Sequence, residues 1–318
     1  MRRNALVTID SDIRPEFTAC YLRIAADECA FIEAHTAHAL PKLLDALVRV
    51  NKKPEDVRFV VVTHAHLDHA AGASALMTAC PKALLVAHPR AAKHLIDPEK
   101  LIKSATAVYG EKRFRALYGT VTPIPKERVR ILGDGESIEL GGEKLTAHFT
   151  AGHANHHFVV DDPALETVYT GDSFGTIYPA LQKFGPFALP STSPTNFDAE
   201  EAKRGIRKIL SLHEKNVHPT HFGGYERVPP LAAQLVRFLD RAGAWVEDAA
   251  HGDEPVDAMT ARLVQSWKDA IAEEAPRFGG AELEYLAFDI EINAQGLAYV
   301  ADAKRRAERP TLAAPPPK

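Results

Sequence analysis

Residues 63–69 run Thr63, His64, Ala65, His66, Leu67, Asp68, His69, which puts four candidate metal ligands into six positions. Neutral imidazoles and a carboxylate are the donor set of zinc and of other first-row divalent metals. On one strand or one helix the four could not share a face, whereas a tight loop at a strand end turns them all toward one cavity. Three further groups continue the pattern. Thr150-Ala151-Gly152-His153 supplies a histidine, Tyr169-Thr170-Gly171-Asp172-Ser173 an acid, and His218-Pro219-Thr220-His221-Phe222-Gly223 a histidine followed by glycine. Each stands after a β-rich run, where layered α/β folds gather their active sites.

The elements that must position these groups follow from periodicity. Residues 5–9, 19–25 and 29–34 are short β-rich runs, and residues 57–63 (VRFVVVT) read as a strand buried on both faces. Leu40, Leu43, Leu44, Leu47 and Val48 form one helical face, with Asn51 placed to stop it. Residues 74–120 read as mainly helical around a strand at 83–87, and residues 129–171 as strands and tight turns. A Pro- and aromatic-rich irregular stretch covers 173–197. Asp198 then caps a helix with Glu201 at its third position, and residues 217–220 form one more strand. Beyond Tyr225 come three amphipathic patterns: Leu231 to Leu239, Met259 to Ile271, and Leu283 to Leu297, the last opened by Gly279 and Gly280. Two β-rich halves, each followed by helices, predict a four-layer αββα sandwich with a C-terminal helical extension. The expected domain boundaries are 1–224 for the site-bearing domain, 225–306 for a helical subdomain and 307–318 for a disordered tail.

HAHLDH, followed in order by AGH, TGDS and THFG, resembles the metallo-β-lactamase superfamily over roughly residues 5–224. The resemblance implies that His64, His66 and His153 hold a first metal and that Asp68, His69 and His221 hold a second. Asp172 would bridge the two, and a shared hydroxide would be the nucleophile. It implies zinc, with iron or manganese as alternatives. Two departures stand out: Glu33-Ala34-His35 replaces the usual Asp-Thr-Gly, and Ala151 stands where proline is common. Among members, the pattern is most similar to stand-alone, glyoxalase II-like hydrolases with a helical C-terminus, although residues 174–189 carry only Lys183 where glyoxalase II has a basic glutathione-gripping loop.

The expected reaction is hydrolysis of a small ester, lactone or thioester, with Asp68 orienting the nucleophile and the Tyr178 hydroxyl facing the developing oxyanion. Phosphodiester or phosphotriester hydrolysis on the same site is the nearest alternative. An iron-dependent persulfide dioxygenase or oxygen-binding protein is the redox alternative. Phe174, Ile177, Tyr178, Leu181, Phe184 and Phe187 either line the pocket or pack beneath the C-terminal helices. His157 is expected to orient a ligand or the bridging carboxylate. His156 and His218 read as structural, and His35, His38, His88, His94, His148, His213 and His251 belong to no constellation.

Composition sets the outer bounds. A net charge of −4 over 318 residues offers no basic footprint for nucleic acid. The first residues lack the apolar core of a secretory signal, no run is long enough to span a bilayer, and Cys20, Cys29 and Cys80 make no disulfide framework. The expectation is a cytoplasmic protein with a small-molecule substrate, no nucleic-acid or membrane partner, and homodimerisation left open.

Overall fold

Side chains alternate across a β-strand, so a strand apolar at every position must be covered on both faces. The computed structural model, which describes residues 4–11, 14–192, 196–226 and 228–308, builds its first sheet on this rule. Its strands are Ala5–Asp10 (β1), Ala19–Ala25 (β2), Glu28–Ile32 (β3), Val57–Val61 (β4), Leu84–Ala87 (β5) and Val129–Ile131 (β6), hydrogen-bonded in that order. The first three are antiparallel neighbours, and β3 to β6 run parallel. Cys20, Leu22, Phe31, Val60 and Leu85 point to one layer. Tyr21, Ile32, Phe59, Val61 and Val86 point to the other.

The outer layer is closed by Leu40–Arg49 (α1), the short Leu67–Ala70 (α2), Ala73–Ala79 (α3) and Pro89–Ile96 (α4), through Leu43, Leu47, Leu76 and Leu95. Asn51 adopts φ 56°, the left-handed stop its position after α1 suggested, while Val48 faces solvent rather than the core. Glu99–Tyr109 (α5) and Glu111–Tyr118 (α6) follow as a helical pair, and α5 buries none of its residues.

The second sheet contains Ser137–Leu140 (β7), Glu143–Phe149 (β8), Phe158–Asp162 (β9), Thr167–Gly171 (β10) and Asn216–Pro219 (β11), in the order β11-β10-β9-β8-β7. All of its pairs are antiparallel except β10 with β11, so β8, β10 and β11 point the same way. Ala199–Ser211 (α7) covers it. Asp198 Oδ1 accepts from the Glu201 N–H at 2.9 Å, the cap read from sequence.

Val228–His251 (α8), Val256–Glu274 (α9), Gly280–Tyr285 (α10) and Ala287–Glu308 (α11) complete the described chain. The third C-terminal pattern is therefore two helices, broken at Leu286. Phe238, Leu263, Trp267, Ile290 and Leu297 join the same continuous core as Phe158, Val168 and Ile206 of the second sheet and α7. Residues 193–195 of the irregular stretch and 309–318 of the expected tail lie outside the described residues. No helix among the described residues is long and apolar enough to cross a membrane.

The sandwich is pinned at one end by the fully buried Arg23 of β2. Its Nε donates to Asp162 Oδ2 at 2.6 Å, and its Nη2 also reaches Glu143. A guanidinium so buried is tolerable because two carboxylates pair with it. Its opposite end carries the candidate site.

Candidate metal centre

β4, β8, β10 and β11 all end at the same edge, and the residues that follow them converge. β4 runs out at Val61. The Phe158 N–H donates to the Thr63 carbonyl and ties the turn to the second sheet, and α2 then carries Asp68 and His69. His153 follows β8, Asp172 follows β10, and His221 follows β11. Gly171 fixes the entry to Asp172. It holds φ 50°, and a Cβ there would lie 2.5 Å from both His157 Nε2 and Thr63 Oγ1.

Two triads result. His64, His66 and His153 bring one ligand atom each within 4.8 Å of one another, as do Asp68, His69 and His221. His66 Nδ1 lies 2.7 Å from His64 Nε2 and 3.0 Å from His153 Nε2. Asp172 stands between the triads. Its Oδ2 is 3.3 Å from His153 Nε2, and its Oδ1 is 3.3 Å from His69 Nε2 and 3.7 Å from His221 Nε2. Asp68 Oδ2 lies 3.5 Å from His69 Nε2 and 3.6 Å from His221 Nε2. All seven residues assigned to metals from the sequence are thus brought together.

The outer ring nitrogens are held by the protein. A carbonyl can only accept, so His153 Nδ1–H donates to Ser191 O at 3.3 Å, and His221 Nδ1–H to Phe17 O at 3.1 Å. Thr63 gives its one hydroxyl proton to Glu33, so its oxygen accepts from His64 Nδ1–H at 3.0 Å. In the neutral ring each arrangement puts the proton on Nδ1 and leaves Nε2 as the free ligand atom, the tautomer a cation requires.

Burial and the surrounding histidines push His64 and His66 well below the ordinary imidazole value, and burial lowers His153. Burial also works against protonation of His69 and His221, but Asp172 and Asp68 outweigh it and raise both. The same histidines hold Asp68 and Asp172 below the usual carboxylate range against burial. Among the described residues, His69 Nδ1 and Nε2 and Asp172 Oδ1 are buried without a hydrogen-bond partner. Orphaned donor atoms inside two convergent N/O triads fit divalent cations. The side chain of Asp68 is 40% exposed whereas that of His69 is buried, so the cluster meets solvent on the Asp68 side.

Tyr178 does not reach this centre through its hydroxyl. The ring is buried, stacked on Phe17 at 5.3 Å, and its O–H donates to Asp289 Oδ1 of α11 at 2.8 Å. The oxyanion role expected for it is corrected accordingly, because its only proton is committed elsewhere. Phe174, Ile177, Leu181 and Phe187 are likewise core residues of the layer shared with the C-terminal helices, and only Phe184 is exposed.

His157 Nε2 accepts from the Asp172 backbone N–H at 3.2 Å, so it holds the segment that bears Asp172 rather than a ring of either triad. His156 packs against His64 and His66 at 6.0 and 5.3 Å, while His218 sits against Tyr21 and bonds Thr167. Glu33 and Ser191 escaped sequence reasoning as site residues. Glu33 receives Thr63 and Thr220 and stands 3.3 Å from His69 Nδ1, and its place in the usual Asp-Thr-Gly position was the available signal. Ser191 Oγ donates to Asp172 Oδ2 at 3.3 Å from an irregular stretch with no periodicity to reveal it.

Known proteins resemble this chain in sequence and in fold. ST1585 of Sulfurisphaera tokodaii, a metallo-β-lactamase fold-containing protein, is 28% identical over 171 residues, an alignment spanning 52% of this chain and 60% of that relative. Its crystal structure superposes with a TM-score of 0.60 at 22% identity, covering 93% of this chain and 98% of the other. The metallo-β-lactamase SMB-1, solved with 2-mercaptoethanesulfonate, gives a TM-score of 0.51 at 16% identity over 72% of this chain and 90% of its own. The chemotaxis sensor ODP, solved as a peroxy diiron species, gives 0.53 at 13% identity over 73% and 94%. Likenesses at such identity are likenesses of fold. The sequence profile of the metallo-beta-lactamase superfamily matches residues 14–221, from before β2 through the last histidine of the second triad, and the chain belongs to that superfamily.

Proposed function

We propose that this chain is a dinuclear metallohydrolase acting on a small ester, lactone or thioester. Residues 1–224 would carry the chemistry and residues 225–306 would support them as a helical subdomain. The observation that carries the reading is the placement of Asp172, one carboxylate with an oxygen toward each triad. His64, His66 and His153 would hold one ion and Asp68, His69 and His221 the other, with zinc as the first expectation. When bound, such ions supply hydroxide near neutral pH by lowering the pKa of water to about 7, and they polarise the scissile bond. The protein's part is to fix the donors in place and to hold Asp68 and Asp172 ionised. Asp68, held ionised by His69 and His221 and partly exposed, would accept a hydrogen bond from the attacking water and set its direction. With Tyr178 engaged by Asp289, charge developing on the substrate has no tyrosine donor from that loop.

The acidic balance favours a small molecule over nucleic acid. A redox reading remains the competitor, because an all-N/O donor set also suits iron and the fold is shared with a sensor solved as a diiron species. Metal analysis of the purified chain separates them: two zinc ions with turnover of lactone, ester or thioester supports hydrolysis. Iron content with oxygen or persulfide consumption overturns it. Asp172→Ala removes the charge between two cations a few ångströms apart, whose repulsion then disfavours joint occupancy. Bound metal should fall toward one ion per chain and turnover by orders of magnitude, and two tightly held ions in this variant would refute the bridge.

A further inference from the structure

The C-terminal helices supply none of the residues of the two expected triads, yet the buried Asn293 of α11 bonds the segment beside the centre. Asn293, 2% exposed, donates from Nδ2 to Pro190 O at 2.8 Å and accepts from the Thr192 N–H at Oδ1, also at 2.8 Å. Its carbonyl accepts from Thr192 Oγ1 at 3.1 Å. The amide thus brackets Ser191 by the peptide groups on either side of it. Ser191 is the residue whose carbonyl takes the His153 Nδ1 proton and whose hydroxyl donates to Asp172 Oδ2. From Asn293 the bonds run to one residue, and from that residue to a member of the first triad and to the acid between the triads.

We propose that Asn293 is a positioning residue for the metal centre, acting through Ser191 on His153 and Asp172. Only an amide fits the task, since one end must donate to a carbonyl and the other accept from an N–H. Leucine has similar volume and does neither, and aspartate keeps the acceptor but sets a carboxylate against the Pro190 carbonyl. The proposal rests on the centre binding metal and is independent of which substrate it turns over.

The test measures zinc affinity of the full chain by competition with a chromophoric chelator, together with melting temperature. The series is the wild type, Asn293→Leu, Asn293→Asp, Ser191→Ala and the Asn293→Leu/Ser191→Ala pair. Leu297→Ala, one turn further along α11 and fully buried, reports the effect of weakening the helix alone. Loss of a partner that orients a ligand costs tenfold to a hundredfold in metal affinity, and that loss is expected in both Asn293 variants. The double variant should lose less than the product of the single losses, because both act through one residue. Leu297→Ala should lower the melting temperature and keep wild-type affinity. Should Asn293→Leu precipitate, the near-isosteric Asn293→Asp carries the comparison. Zinc affinity within twofold of wild type in a folded Asn293 variant overturns the proposal, as does an equal affinity loss in Leu297→Ala. A wild-type chain that binds neither zinc, manganese nor iron overturns the metal reading itself.

Discussion

At the scale of single residues, the centre depends on small groups as much as on ligands. Gly171 precedes Asp172 at φ 50°, with His157 and Thr63 crowding the place a side chain would take. Alanine there must displace Thr63, which orients His64, or His157, which holds the Asp172 backbone. Gly171→Ala should cost about 2 kcal/mol or more in stability and reduce bound metal, measured by denaturant unfolding and elemental analysis. Unchanged metal content would show that the turn relaxes without moving the acid. The seven residues that the structure gathers were legible in the sequence, because histidine and carboxylate are common metal donors and the loops that carry them punctuate strands. Ser191, Asn293 and the Phe17 carbonyl were not, because a backbone carbonyl has no residue type and a bond between the Thr192 N–H and the Asn293 amide, 101 positions apart, leaves no local pattern. Tyr178 was misread for a related reason. Proximity in sequence to Asp172 placed the residue near the site but said nothing about where its hydroxyl would find an acceptor.

Among elements, the strands and the first helices followed their periodicity closely. Where a segment is half-exposed, the alternation between apolar and polar residues reports its face directly, and where it is covered on both sides the run of VRFVVVT does so. The irregular stretch after β10 did not yield to this reading, since its aromatics serve a core that exists only once α8 to α11 are folded over it. Tyr178 and Asp289 join that stretch to α11, with Arg14 stacked over Phe17 at 4.1 Å and 3.7 Å from the same carboxylate. Tyr178→Phe leaves the stacking but removes one of Asp289's partners. The expected result is a loss of about 1–3 kcal/mol, read by thermal or chemical unfolding, with turnover changed less than threefold. A hundredfold drop in turnover at full metal content would restore the hydroxyl to the chemistry.

The whole molecule carries an acid sensitivity that its histidines impose. His35, His88, His156 and His218 are each driven by burial to about 4 from an ordinary value of 6.5. Between those values the unfolded chain binds more protons than the folded one, so stability is complete above pH 6.5 and declines as pH falls toward 4. His69 and His221, raised by their carboxylates, act in the opposite sense, but the lowered histidines outnumber them. The melting temperature of the metal-stripped chain should therefore fall across that window, and His218→Gln should make the fall shallower. A flat profile from pH 7 to 4.5 would show that these rings are hydrated in solution.

The candidate ligands come from distant parts of the chain, and that spacing sets when they can meet. His66 and His153 are 87 positions apart, the Phe17 carbonyl that steers His221 lies 204 positions before it, and the Asn293 amide comes 101 positions after Thr192. During synthesis the early histidines emerge long before their partners, as a short imidazole-rich loop with free choice among passing metals. On the proposed reading, the whole site forms only once the last long helix has been made and has docked, so metal loading would be an event of the folded chain. A product ended before α11 would keep all seven candidate ligands and lack the Asn293 amide that holds the peptide groups on either side of Ser191.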